Sequence, residues 1–304
     1  MEQGDSMTQE YLNQLVETTV NESASEIKGS ANAAEQLVLG NRYFEGKDVF
    51  QDYAKAVYWY TKASEQGNAE AQLSLGLCYS NGQGVPQDYK IAVYWATKSA
   101  KQGYARAQLY LVFRYYLGEG VPKDYKKAVY WATKAARQGY VLAQFQLGSF
   151  YKDGQNIPRN NKKAAYWYAK AAKQGHAQAQ FYLGYCYYCR LGVFRNYKKA
   201  VYWFVKSAEQ NVARAQCFLG FCYEDGNGVP QDYEKAMYWF TKSAEQGNAR
   251  AQRELGNFYN NGKGVPQDYK KAAYWYTKAV EQEDDQAQEY LNQLKIKRSN
   301  DNNV

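Results

Sequence analysis

One histidine, five cysteines, five prolines and three methionines in 304 residues leave little material for most kinds of active site. The lone His176 falls where a helix begins and reads as a surface residue rather than a general base. The odd number of cysteines does not make a disulfide framework and suits a reducing compartment. Cys186-x-x-Cys189 and Cys217-x4-Cys222 have the look of metal ligands. However, Cys186 and Cys222 stand 36 residues apart, at the same place in neighbouring sequence repeats, too far apart to share an ion. No metal or cofactor is expected. The chain lacks any run of about 18 apolar residues, so no membrane span is predicted. Met1 to Glu10 is acidic and polar, without the apolar core of a signal peptide. The expected location is therefore the cytoplasm, with export by a non-classical route left open. Phosphate-binding glycine loops are missing too. The Gly-x-Gly-Val-Pro runs recur in most repeats and read as turns.

What the chain does have is a period. Tyr-Trp, with Lys three residues after the Trp, recurs every 36 residues from Tyr58-Trp59-Lys62 to Tyr274-Trp275-Lys278 and accounts for all seven tryptophans. Seven repeats run over 32–67, 68–103, 104–139, 140–175, 176–211, 212–247 and 248–283, and a half-repeat covers 284–298. Such a period means stacked units, each packed on its neighbours, rather than one globular core. The expected organisation is an N-terminal helix and polar linker over 1–31, the repeats over 32–283, and a C-terminal capping helix with a disordered tail over 284–304. The heptapeptide Gln9–Leu15 recurs unchanged at Gln288–Leu294, out of phase with the repeat.

Numbering each repeat from 1 to 36, Leu at position 8 and Tyr at position 12 lie on one face of a predicted first helix with position 4. Gly at position 9 beside that face implies a neighbouring backbone too close for a Cβ. A turn follows, with all five prolines at position 19. Asp or Asn at position 21 is placed to cap a second helix. That helix is expected to bury Ala at position 25 and Trp at position 28, the Trp acting as wedge between layers, with Lys at 24 and 31 covering the indole edge.

Ala251-Gln252, Leu255-Gly256, Tyr259, then Gly262-Lys263-Gly264-Val265-Pro266-Gln267-Asp268-Tyr269-Lys270-Lys271-Ala272, then Tyr274-Trp275 and Lys278, resemble the Sel1-like repeat, a relative of the tetratricopeptide repeat. The resemblance covers residues 32 to about 295. It implies an all-α fold, a right-handed superhelical solenoid of helical hairpins. Its members are typically adaptors in bacterial signalling, secretion and host interaction and in eukaryotic degradation machinery, with no shared catalytic residues.

Function is then sought where the repeats disagree. Positions 3, 6, 7, 10, 13 and 14 form the other face of the first helix, which in tetratricopeptide-like arrays lines a concave groove. The third repeat places Arg106, Leu109, Tyr110, Phe113, Tyr116 and Leu117 there. The fifth places Phe181, Tyr182, Tyr185, Tyr188 and Cys189, and the sixth Arg214, Cys217, Phe218 and Phe221. These rings either bind a partner or pack on neighbouring first helices, and both readings stand at this point. The fifth repeat departs furthest from the pattern, with Arg190 for the turn Gly, Phe194 for Pro and Arg195 beside it. The third has Val112 for Gly.

The body of repeats carries a net charge of about +14 against acidic ends, which invites acidic partners. The expected function is a non-enzymatic scaffold or adaptor that holds a peptide or protein in the groove, in a narrower form an inhibitor or immunity-type protein for one partner. RNA binding is the alternative. Against it, 18 of the body's 34 basic residues sit at positions 23, 24 and 31, away from the variable face.

Overall fold

A computed structural model describes residues 32–154 and 157–301, the last five by backbone alone. The helix and linker expected before residue 32, with the first copy of the heptapeptide, and the tail beyond 301 lie outside the described residues. Among the described residues there are fifteen α-helices and no strand. First helices are α1 (Ala33–Glu45), α3 (Ala69–Asn81), α5 (Ala105–Leu117), α7 (Val141–Asp153), α9 (Ala177–Cys189), α11 (Ala213–Asp225) and α13 (Ala249–Asn261). Second helices are α2 (Tyr53–Glu65), α4 (Tyr89–Lys101), α6 (Tyr125–Arg137), α8 (Asn161–Lys173), α10 (Tyr197–Ala208), α12 (Tyr233–Glu245) and α14 (Tyr269–Val280), and α15 (Asp285–Asp301) is the last described helix. The fold is an all-α solenoid of helical hairpins. It falls into two compact blocks, divided within α7 between Ala143 and Gln144. In each block, successive helices pack on one another.

Local chemistry sets the hairpin. The position-21 side chain accepts the backbone N–H three residues on in every repeat, as Asp52 does from Lys55 at 2.9 Å and Asn196 from Lys199 at 2.9 Å. This satisfies one of the orphan donors at a helix start. In the turn, Gly120 has φ +72°, and a Cβ there would overlap the carbonyl of Tyr89 at the start of the preceding second helix. The turn thus needs glycine twice over, for its φ and for a close approach.

The core differs from the expectation in two ways. The Trp is not the wedge: only Trp95 is buried, and the other six are half-exposed. The buried wedge is the next residue, position 29, where Tyr60, Tyr168, Phe204, Phe240 and Tyr276 are almost fully enclosed. These rings, rather than a backbone, fill the space over Gly40, Gly148, Gly184, Gly220 and Gly256, so a Cβ on any of them would overlap a ring. Gly76 instead meets backbone first, with the Ala92 carbonyl 2.9 Å from a built Cβ. Its position-29 residue is the small Ala96. In the third repeat, Val112 and Ala132 are both fully buried, the larger side chain now on the first helix. Val112 is therefore a compensated exchange of volume across the hairpin.

Position 10 follows the same logic. Where position 29 is tyrosine, its hydroxyl donates to a polar residue at position 10: Tyr60 to Asn41 at 2.8 Å, Tyr168 to Ser149 at 3.3 Å, Tyr276 to Asn257 at 2.8 Å. Where position 29 is phenylalanine, position 10 is aromatic, as in Phe221 edge-on to Phe240 at 5.1 Å. The five hairpins with a ring at position 29 thus carry a matched triplet at positions 9, 10 and 29.

Glutamine ties the hairpins together. Position 35 donates to the position-5 Gln of its own repeat, as Gln246 does to Gln216 at 2.6 Å. Gln216 in turn donates to the Ala208 carbonyl of the preceding repeat at 3.3 Å. The relay stops at the seventh repeat, where the buried Gln252 Oε1 lacks a hydrogen-bond partner. That repeat ends on Glu283 at φ +62° instead of glycine.

The lysines cover tyrosines more than indoles. Lys at position 31 lies over the Tyr at position 27, as Lys242 over Tyr238 at 5.3 Å, and only Lys98 also covers a Trp, at 4.8 Å. Lys at position 24 lies over the Tyr at position 12, as Lys163 over Tyr151 at 5.1 Å.

Candidate interaction surface

In the N-terminal block the variable face of α5 is open. Phe113 is 40% and Leu117 50% exposed, one helical turn apart, and Arg106 is exposed on the same helix. Tyr110 is half-buried beneath the Arg114 guanidinium, 4.9 Å from its ring centroid. Tyr116 is half-buried edge-on to Tyr125 at 5.3 Å. Leu109, expected on the open face, is buried.

In the C-terminal block the rings interlock. Phe218 is the hub, 5.4 Å from Tyr185, 5.6 Å from Tyr188 and 6.1 Å from Phe221. Tyr182 stacks on the wedge Tyr168 at 5.1 Å, lies under the Lys152 ammonium at 4.6 Å, and accepts from Arg214 Nη1 at 3.5 Å. Tyr185 hydrogen-bonds Cys189, and that bond with partial burial holds its phenol above the ordinary pKa. These side chains are half-buried: they pack against one another and still show an edge. Phe181 and Cys217 do not belong to the surface. Both are buried against the first helix of the following repeat, because position 6 turns toward it.

Arg250, at position 3 of the seventh repeat, joins the aromatic face of the sixth. Its guanidinium lies 4.2 Å over Phe221 and 5.6 Å from Phe218, covering the end of the ring cluster with a cation. The signal was its identity with Arg106 and Arg214 at position 3.

The fifth repeat's turn is where the expectation of irregularity meets an exposed apolar ring. Arg190 takes the left-handed conformation at φ +60°, at the end of α9. Phe194 is 87% exposed, and Arg195 beside it is exposed too.

His176 is half-buried rather than a surface residue: it caps α9 through Nδ1, which accepts from the Ala179 N–H at 3.2 Å, and it stacks on Phe145 at 4.5 Å. Burial holds its pKa below the ordinary 6.5. All five cysteines are unpaired. Burial pushes the thiols of Cys78, Cys186, Cys217 and Cys222 up to about 12, far from reactive thiolates. Among the described residues no group of His, Cys, Asp and Glu could hold a metal ion. No described helix is long and apolar enough to cross a membrane.

The repeat is shared with known proteins. The Sel1 repeat matches residues 36–68, 69–104, 105–140, 141–176, 177–212, 213–248 and 249–284. A protective antigen present in uropathogenic Escherichia coli strains, with an SLR fold, superposes with a TM-score of 0.85 at 39% identity. That likeness covers 87% of this chain and 57% of the antigen, so the chain spans little more than half of that protein's length. A Sel1 repeat protein from Oxalobacter formigenes gives a TM-score of 0.67 at 37% identity, over 86% of this chain and 76% of that one. No curated protein matches. With its hairpins, its triplet-matched core and seven consecutive matches, the chain belongs to the Sel1-repeat family.

Proposed function

We propose that the protein is a non-enzymatic scaffold that binds a protein or peptide partner on the variable faces of its first helices. In the N-terminal block the contact residues are Arg106, Tyr110, Phe113 and Leu117. In the C-terminal block they are Tyr182, Tyr185, Tyr188, Arg214, Phe218 and Phe221, with Arg190, Phe194 and Arg195 at the irregular turn. The observation that carries the reading is the open pair Phe113 and Leu117. Their exposure means that folding does not use them fully, while the core positions of the same helix, Leu111 and Val112, are wholly enclosed. Large apolar side chains with an adjacent cation supply the anchors that protein interfaces favour. The four deeply buried thiols and unpaired Cys189 suit a reducing, cytoplasmic setting.

The test is affinity capture from the source cells with the wild-type chain and with Phe113→Ser/Leu117→Ser. Both positions are exposed, so the variant should keep its helicity and melting temperature while losing the captured protein. A protein retained equally by both chains would refute the assignment of α5. If RNA is retained and protein is not, the nucleic-acid reading replaces this one. A single captured protein whose activity is blocked in the complex would narrow the role to inhibitor.

A further inference from the structure

Between Asp153 and Glu209 the chain has ten Lys and Arg residues and no Asp or Glu, although acids are common elsewhere in the sequence. The structure shows what that omission does. In four other repeats the lysine three residues into the second helix meets the carboxylate of its capping residue: Lys55 with Asp52 at 3.7 Å, Lys127 with Asp124 at 3.5 Å, Lys235 with Asp232 at 2.8 Å, Lys271 with Asp268 at 3.9 Å. In the fourth and fifth repeats the caps are Asn160 and Asn196. They accept the same backbone N–H bonds, both at 2.9 Å, so capping is kept and only the negative charge is gone.

The uncompensated cations converge at the irregular turn. Lys162 from the start of α8 joins Arg190, Arg195 and Lys199 around a concavity of about 680 Å³ that also includes Gly192, Val193 and Phe194. Gly192 sits against the Asn161 backbone, where a Cβ would overlap it, which brings the turn down beside Lys162. Lys199 lies 5.5 Å over Tyr187 and Arg195 5.8 Å over Tyr197, so these cations face rings rather than carboxylates. Like charges gathered in a concavity repel one another and focus a positive potential that an anion would relieve. Phe194 stands exposed in the middle of them where most other repeats have proline.

We propose that this concavity docks a carboxylate-rich peptide segment of a partner protein, with an apolar residue of that segment covering Phe194. The proposal rests on the scaffold reading and gives it a chemistry at the fifth repeat. A protein segment fits better than a phosphate backbone because the centre of the site is apolar. It fits better than a lipid surface because the cations line a hollow instead of a protruding face.

The test is fluorescence anisotropy of the full chain with a labelled peptide of repeated Glu-Glu-Leu triplets. Parallel probes are the Gln-Gln-Leu and Glu-Glu-Ser peptides, oligouridylate, and vesicles of phosphatidylcholine with phosphatidylserine. Binding of Glu-Glu-Leu should weaken roughly tenfold in Arg195→Glu, through loss of one cation and gain of a repelling charge. It should weaken several-fold, on the order of three to ten times, in Phe194→Ser through lost apolar burial. Arg137→Glu, an exposed charge reversal in the N-terminal block, should bind as wild type does. Weak binding of the two altered peptides supports the site. Unchanged affinity in Arg195→Glu overturns it, as does tighter binding of oligouridylate or vesicles that ignores Phe194→Ser. Removing residues 1–31, which carry six acids and one base, should leave the affinity unchanged. A tenfold rise would instead make the chain's own N-terminal segment the occupant and overturn the partner peptide. Phe113→Ser/Leu117→Ser should not alter peptide binding, so the loop and the scaffold reading can fail separately.

Discussion

Tyrosine at position 29 of the sixth repeat should be tolerated only if position 10 changes with it. Phe240 is fully buried with its ring over Gly220 and edge-on to Phe221. Phe240→Tyr would aim a hydroxyl at Phe221, where the first and seventh repeats offer Asn41 and Asn257. An unsatisfied buried hydroxyl costs about 1–3 kcal/mol. Phe221→Asn alone removes a half-buried ring and its cover by Arg250, a loss of about 1–3 kcal/mol from apolar area and the cation–π contact. In the double variant the hydroxyl finds the amide, so the combined loss should fall short of the sum by about 1–2 kcal/mol. Urea unfolding of the four chains, followed by circular dichroism, measures this coupling from the shifts in the transition. Losses that add within about 0.5 kcal/mol would refute the triplet at positions 9, 10 and 29.

Tyr168→Ala should cost about 3–5 kcal/mol, as expected for deleting a buried ring, and more than Trp167→Ala, whose indole is half-exposed; equal losses would return the wedge to the Trp. Glu283→Gly should stabilise by about 1 kcal/mol by relieving a left-handed residue. A Cβ at the equivalent Gly67, Gly103, Gly139, Gly175 and Gly247 meets nothing within 4 Å, so φ is the whole effect there, and a lower melting temperature in Glu283→Gly would refute it. His176 has a folded-state pKa below 6.5, so the unfolded chain takes the proton first. Its contribution to stability is full above pH 6.5 and is lost as pH falls through the folded value. His176→Asn, the cap used at Asn68 and Asn248, should abolish that part of the decline in melting temperature below neutral pH. An unchanged profile would assign the decline elsewhere.

The period, the helices, the turns and the caps were legible because they are local: Asp124 caps the residues directly after it, and Gly120 must turn where it stands. The wedge was not. Positions 28 and 29 are neighbours on one helix, and which of them faces the next layer depends on how hairpins pack, which no single repeat encodes. Invariance favoured Trp, while Tyr, Ala and Phe alternate at position 29 and hide a core position. The signal was nonetheless present in the joint variation of Gly220, Phe221 and Phe240 against Gly256, Asn257 and Tyr276. The Gln216–Gln246 bond was hidden by its separation of 30 residues. On the variable face Phe113 and Leu117 are exposed. Leu109 and Phe181 could not be sorted from them, because position 6 meets the neighbouring repeat.

Hydrogen exchange of the chain with and without its captured partner tests most directly where binding occurs. Added protection should fall on α5, α9 and α11 and on the turn at Arg190–Arg195. Protection confined to the second helices, with α5, α9 and α11 exchanging as in the free chain, would contradict binding on the first helices.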